Sequence, residues 1–378
     1  MNLIDSFYQK VEEGKKGNNM GIPSGFPKLD KYIYGIQRRF MSTVIADSGA
    51  GKSSVAIFMY IYKPLVYSLE HPEIPVNILA LSFEMSKEVL LAKLLSLYIL
   101  DKYHIDISYS EIFSLDKPVS DDKLKYIYDA RDWLTKVDDK LTIYDTPLNS
   151  TGVYNILRAW AGYFGKFETD DNGERYIKND RNQYLIAVLD HCKLLKNNGS
   201  GIKHEIDETA KHFIYYRNLC DMTICAVQQA NRQFKSMDRR NSEHNYLELQ
   251  DAQDTADMTQ ASEIVIGVYH PFREKKAKCE GFDIKKLRDN FRLIQLLKGR
   301  FGQSDVVEGC IFQGSIGYFK ELDPPEDGKR FDYDRVLRMD YLFEEFDNQQ
   351  KKKEELDRVI KEDEEDEEDE VLEFNFNV

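Results

Sequence analysis

Residues 46–53, Ala-Asp-Ser-Gly-Ala-Gly-Lys-Ser, bring together the residue types needed to hold a chain of phosphates. Gly49 and Gly51 let the backbone approach an anion, and Ser48, Ala50 and Ser54 complete a row of amide donors around them. Lys52 reaches β- and γ-phosphate oxygens, and the Ser53 hydroxyl suits Mg²⁺. Phosphate hydrolysis also needs an acid beside the metal, a group that orients water and positive charge at the departing phosphate. Asp190 and Glu84 each close an apolar run, at 184–190 and 76–85, and take the first two roles. Gln229, closing 222–229, is placed to sense the γ-phosphate. Lys298 and Arg300 follow the run 293–297, and their spacing of two predicts projection from the same side of a strand. Such a pair binds a phosphate of its own subunit or, as an arginine finger, of a neighbour. Ala46 stands where the first glycine of a phosphate loop is usual, and the Ala-or-Gly pattern arises by chance in a chain of this length about a few per cent of the time.

These groups need a scaffold that brings strand ends together. The β-branched run 42–45 precedes the loop, and a helix is predicted to begin at Lys52. Apolar strands at 76–85, 141–145, 184–190, 222–229, 263–269 and 293–297 alternate with helical patterns at 86–102, 119–137 and 149–164. That alternation indicates an α/β, RecA-like P-loop NTPase fold: a mostly parallel, twisted sheet flanked by helices, within 21–345 and without internal repeats. Before it, 1–20 hold a short helix at 2–14 with Leu3, Ile4, Phe7, Tyr8 and Val11 on one face, then a flexible link. After it, 346–378 form an acidic tail with nine consecutive carboxylates at 362–370, expected to be disordered.

Hydrophobic residues make up 42% of the 378-residue chain, enough to bury a sizeable core. The formal charge is −14, but residues 1–361 carry only −4, so the body does not repel nucleic acid. Basic loops lie beyond two of the active strand ends. Lys196 and Lys203 follow Asp190, and Arg232, Lys235, Arg239 and Arg240 follow Gln229; these are the candidate DNA-binding residues. The five cysteines show no metal-ligand spacing and read as thiols of a reducing compartment. No run approaches the roughly 18 apolar residues of a membrane span, and the N-terminus is not a signal peptide, so a cytoplasmic protein is expected.

The order of Gly25-Phe26, Leu29-Asp30, the loop 46–53, Ser82-Phe83-Glu84-Met85, Leu189-Asp190, 229–232 and 298–302 resembles the ATPase domain of DnaB-family replicative helicases. The likeness runs over residues 1–322. It implies a ring of six that hydrolyses ATP with Mg²⁺ and moves 5′ to 3′ along single-stranded DNA. By it, Lys52 and Ser53 bind phosphate and metal, Glu84 is the catalytic carboxylate, Asp190 the metal-side acid and Gln229 the sensor. Lys298 and Arg300 then serve a neighbour's ATP, and the helix at 2–14 docks on an adjacent subunit. Against the family pattern, His191-Cys192 follows Asp190, the segment 271–291 is longer and more basic, and the N-terminal domain of cellular members is missing. The resemblance therefore implies a compact, phage-type member in a host cytoplasm. Its tail is similar to those that dock on a polymerase, primase, loader or single-strand binding protein. A RecA- or RadA-like recombinase and a KaiC-like signalling ATPase acting without DNA are the alternatives; rings rather than filaments, and DNA-stimulated hydrolysis, separate them from a helicase.

Overall fold

The computed structural model describes residues 3–17, 19–171, 173–231, 246–252, 257–326 and 329–343. It divides into two units, 1–331 and 332–378. In the second, a single helical turn, Tyr333–Val336, is capped by Asp332, whose carboxylate accepts the Arg335 N–H at 3.0 Å. The acidic tail at 346–378 lies outside the described residues.

Strands whose side chains are apolar on both faces must be covered on both faces, which is the habit of parallel sheets. The first unit is built that way. Its central sheet contains β1 (Met41–Ala46), β2 (Val76–Ser82), β3 (Leu141–Tyr144), β6 (Tyr184–Asp190), β7 (Thr223–Gln229), β8 (Ile264–Tyr269), β11 (Phe291–Lys298), β12 (Val306–Gln313) and β13 (Tyr318–Glu321). The order is β13-β12-β11-β8-β1-β7-β6-β2-β3. From β3 to β8 the pairs are parallel; β11, β12 and β13 extend the β8 edge antiparallel. The mostly parallel sheet was legible, but β12 and β13 were not foreseen, and at this edge the alternation with helices stops and β11, β12 and β13 are joined by turns.

The described α-helices before β7 are α1 (Leu3–Lys15), α2 (Pro27–Ile33), α3 (Lys52–Ala56), α4 (Lys63–Glu70), α5 (Lys87–Tyr103), α6 (Tyr109–Ile112), α7 (Asp121–Asp129), α8 (Arg131–Asp138), α9 (Ser150–Ala161) and α10 (Ile202–Cys220). Ser86 caps α5 and Asn149 caps α9, each by accepting an amide three residues on. The single helix expected at 119–137 is two, meeting at Ala130, whose φ of −81° and ψ of 0° leave the helical region. A hairpin of β4 (Gly165–Asp170) and β5 (Gly173–Lys178) was not foreseen, because half of the residues in each strand are charged and neither has an apolar run. It is tied down by a two-pronged Arg158–Glu174 pair at 3.2 and 2.6 Å. A smaller pair, β9 (Lys278–Cys279) and β10 (Phe282–Asp283), lies within the long segment before β11.

On one face, α9 and α10 pack over Leu185, Ala187 and Leu189 of β6 and Ile224 and Ala226 of β7. Strand alternation therefore sends Asp190 and Gln229 to the other face, where α3 and α4 lie, joined by a buried π-helical stretch, Ile57–Tyr62. Phe58 within that stretch meets Phe26 at 5.5 Å and Tyr318 at 5.3 Å between ring centroids. This aromatic packing fixes the helix that leaves the phosphate loop. On α1, Ile4, Phe7, Tyr8 and Val11 are all exposed, so their shared face is not covered by the described residues of the chain.

Candidate active site

β1 delivers the loop at the point where strand order reverses, the usual position of a ligand site in an open α/β sheet. Ala46 is the last, fully buried residue of β1 and has an ordinary φ, so the backbone there does not require glycine. Gly49 and Gly51 do require it: their φ values are +70° and +107°. The Ala50 N–H donates to the Asp47 carbonyl at 3.2 Å, closing the turn. Gly51 caps α3 without any side-chain acceptor, which leaves first-turn amides, those of Lys52, Ser53 and Ser54, for an incoming anion.

Lys52 is buried, and its Nζ lies 3.9 Å from the Glu84 carboxylate, whose side chain is 47% exposed. The Ser53 hydroxyl donates to Asp190 Oδ1 at 3.0 Å. Ser82 and Asp190 stand opposite each other at the ends of β2 and β6, and the Phe83 N–H donates to the Asp190 carbonyl at 2.7 Å. Ser82 Oγ donates to the Met85 carbonyl at 2.8 Å, which sets the turn carrying Glu84. Burial pushes the Asp190 carboxyl up to about 6, against the Ser53 hydrogen bond, with the Glu84 charge adding to the rise and Lys52 and Lys93 opposing it.

Gln229 pairs in register with Ala46, and its side chain lies close enough to His191 to favour the protonated imidazole. Burial first, then Lys52, lowers the His191 imidazole to about 4, so it is neutral at physiological pH. Thus Lys52, Ser53, Glu84, Asp190 and Gln229 gather at one end of the sheet.

Three cations at this end escaped the sequence reading. Lys93 of α5 is half-buried; burial lowers its pKa, opposed by the nearby Asp190 and Glu84 charges. Arg292 on β11 donates from Nε to the Ala50 carbonyl at 2.6 Å. Arg273, after β8, donates to the Ser48 carbonyl. The available signal was a charged residue set inside an apolar run, at 90–95 and at 291–294.

Lys298 and Arg300 lie elsewhere. β11 runs antiparallel to β8, so its C-terminal end falls beside Val265, near the start of β1. That is roughly 10 Å along the sheet from the end of β1, where the loop begins, at about 3.3 Å per residue. Lys298 ends the strand and donates to the Thr259 and Gln260 carbonyls at 3.2 and 3.0 Å. Arg300 sits in the turn beyond, rather than on the strand, and donates to Glu263 at 3.0 Å. Glu263 also accepts from Arg217 at 2.6 Å and from the Met41 N–H at 2.8 Å. Arg300 borders a cleft of about 720 Å³ with Arg38, Arg39, Lys178 and Arg181 on its walls.

Of the candidate DNA-binding residues, Lys196 is exposed in the loop after β6, its N–H tied to the Leu148 carbonyl at 2.8 Å. Lys203 is exposed in the first turn of α10, a helix where a loop was expected. Arg232, Lys235, Arg239 and Arg240 lie outside the described residues. Among the described residues, no cluster of histidine, cysteine and carboxylate suits a metal by itself, and no helix is long and apolar enough to cross a membrane.

Residues 21–321 match the family model of the DnaB-like helicase C terminal domain. One solved ATPase domain is similar in structure, with a TM-score of 0.64 and 16% identity, covering 85% of this chain and 99% of that one. So is a structure described as that of a DnaB-like replicative helicase and its interactions with primase, with a TM-score of 0.62 and 17% identity, covering 85% of this chain and 68% of that one. Both show a shared fold. Comparison with curated proteins finds no match.

Proposed function

Because the chain belongs to the DnaB-like helicase family, we propose that it hydrolyses ATP to translocate 5′ to 3′ on single-stranded DNA as a hexameric ring and so unwinds duplex DNA. The observation that carries this is the separation of the site into two halves on one chain. Loop, Lys52, Ser53, Glu84 and Asp190 share one end of the sheet, while Lys298 and Arg300 occupy the other. A ring of subunits sets the second half of one chain against the first half of the next.

In this reading the triphosphate lies along the loop amides and takes the Lys52 ammonium from Glu84. A hydroxyl and a carboxylate in contact form the hard oxygen pair that suits Mg²⁺, so Ser53 and Asp190 would hold it, Asp190 through water. The ion, when bound, withdraws charge from the β- and γ-oxygens. Glu84, half-exposed and then released from Lys52, orients the attacking water and accepts its proton. Gln229 reads the γ-phosphate and passes its state to the segment after β7. Lys298 and Arg300 leave their carbonyl and carboxylate partners to neutralise charge on the neighbour's γ-phosphate.

The exposed apolar face of α1 docks on an adjacent subunit, making 1–20 an interface element, 21–345 the motor and 346–378 a tail for a replication partner such as a polymerase, primase, loader or single-strand binding protein. The test is unwinding of forked DNA with each arm varied, at stated salt, together with electron microscopy in the presence of Mg²⁺ and an ATP analogue. Closed or lock-washer rings and DNA-stimulated hydrolysis are expected; hydrolysis indifferent to single-stranded DNA would remove the helicase reading.

A further inference from the structure

Arg292 is 4% exposed, yet among the described residues no carboxylate pairs with it. Its guanidinium instead donates to three backbone carbonyls: Ala50 at 2.6 Å, and Asp289 and Phe291 at 2.8 Å each. The Phe312 ring lies 4.7 Å from it. A buried cation without a counter-ion is costly unless something else in the working protein supplies the charge. Burial lowers the Arg292 pKa to about 10; the charge of Asp289, beyond ion-pair distance, opposes this only in part, and Arg273 adds to it. Arg273 approaches the same loop from its exposed side, donating to the Ser48 carbonyl, and a side chain at Gly49 would collide with its guanidinium. Two cations therefore grip alternate carbonyls, those of Ser48 and Ala50.

In a trans peptide the C=O and the following N–H point in opposite directions. Holding the Ser48 and Ala50 carbonyls thus turns the Gly49 and Gly51 amides away from the cations, toward the side on which the loop's N–H groups can face an anion. Neither arginine needs to reach the phosphates to act.

We infer that Arg273 and Arg292 are positioning residues that clamp the phosphate loop in its anion-binding shape, and that the bound nucleotide's phosphates are the counter-charge for which Arg292 is left unpaired. This rests on the reading of 46–53 as a nucleotide site. It explains why the segment 271–291 returns the chain to the loop, with Arg273 near its start and Arg292 just past its end. Arg273 is the exposed, salt-sensitive half of the clamp; Arg292 is the buried half.

The test is calorimetric titration of the full chain with MgADP, for wild type, R273A, R292K and R292M, at low and at 1 M salt, beside melting temperatures without nucleotide. R273A should weaken binding about tenfold at low salt, the lower end of what a hydrogen bond from a charged donor contributes, with an unchanged nucleotide-free melting temperature. That difference should shrink at 1 M salt, because exposed charges are screened. R292M should lose more than about tenfold, and R292K should recover part of it by restoring the charge. In steady-state hydrolysis the R273A loss should fall on KM rather than on kcat. Wild-type affinity in both R273A and R292K would overturn the inference, as would a loss in R273A matched by an equal fall in stability without nucleotide. Failure of the wild type to bind MgADP would instead overturn the nucleotide site itself.

Discussion

The two ends of the central sheet carry opposite chemistry. Where β1, β2 and β6 finish, two carboxylates, a lysine and a row of amides converge within hydrogen-bond or ion-pair reach of one another. Where β11 finishes, cations predominate: Lys298 holds carbonyls, and Arg300 and Arg217 share Glu263 beside a cleft with further arginines on its walls. β11 joins the two, with Arg292 beneath the loop at its start and Lys298 at its end. In the function proposed above, the first end binds the phosphate chain and positions water, the second supplies cations to a neighbour's site, and assembly joins the two halves that one chain keeps apart.

Substitutions at either end should break this comparison differently. The largest effect is expected from Lys52→Ala, which should abolish nucleotide binding measurably by MgADP titration, because the buried ammonium is the loop's own charge. Arg300→Ala should lower kcat by about 10³–10⁵, the range for arginine fingers, while leaving binding nearly intact. Mixing it with Lys52→Ala subunits should restore turnover at interfaces where an intact loop meets an intact arginine. No recovery on mixing would place Arg300 outside the neighbour's site. Glu84→Gln should cost about 10²–10⁴ in kcat, the usual contribution of a positioned base, with nucleotide still bound. Normal hydrolysis by that variant would remove Glu84 from the chemistry.

How much of this was legible beforehand depended on how local the signal was. The loop, the strands ending in Glu84, Asp190 and Gln229, and the parallel core are written in consecutive residues, as apolar runs closed by a polar group. The antiparallel edge was missed because β12 carries Glu308 and Gly309 within its apolar pattern and is linked by a turn to β11, leaving no helix to mark the change. Arg292 was missed because the apolar run was started at Leu293, one residue after it. The hydrogen bond that gives Arg292 its meaning joins residues 242 apart in sequence. The opposite placement of Lys298 and Arg300 follows from strand direction, which spacing alone does not encode.

Proton binding separates the acidic end from the rest with the smallest expected effect. Asp190 is held at about 6 when folded, against its ordinary 3.8. As pH falls through 6 the folded protein gains a proton that the unfolded chain takes up only near 4. Between those values the native state binds more protons, so this residue makes the nucleotide-free protein more stable as pH decreases. Its contribution to activity has the opposite sign, since the metal-side role requires the carboxylate; kcat/KM, which reports the free enzyme, should fall about tenfold per pH unit below 6. Asp30, also near 6, and Glu321, near 7, are raised by burial and add to the stability trend, whereas burial lowers His191 to about 4 and His270 to about 3, and these two oppose it between pH 7.5 and 5. Melting curves at pH 7.5 and 5 therefore need Asp190→Asn beside the wild type. Whatever the net change, the variant should lack the stabilising part due to Asp190, so its change between the two pH values should lie below that of the wild type. An equal shift in both proteins would show that Asp190 is already ionised at pH 5 and that its burial against Ser53 carries no proton-linked cost.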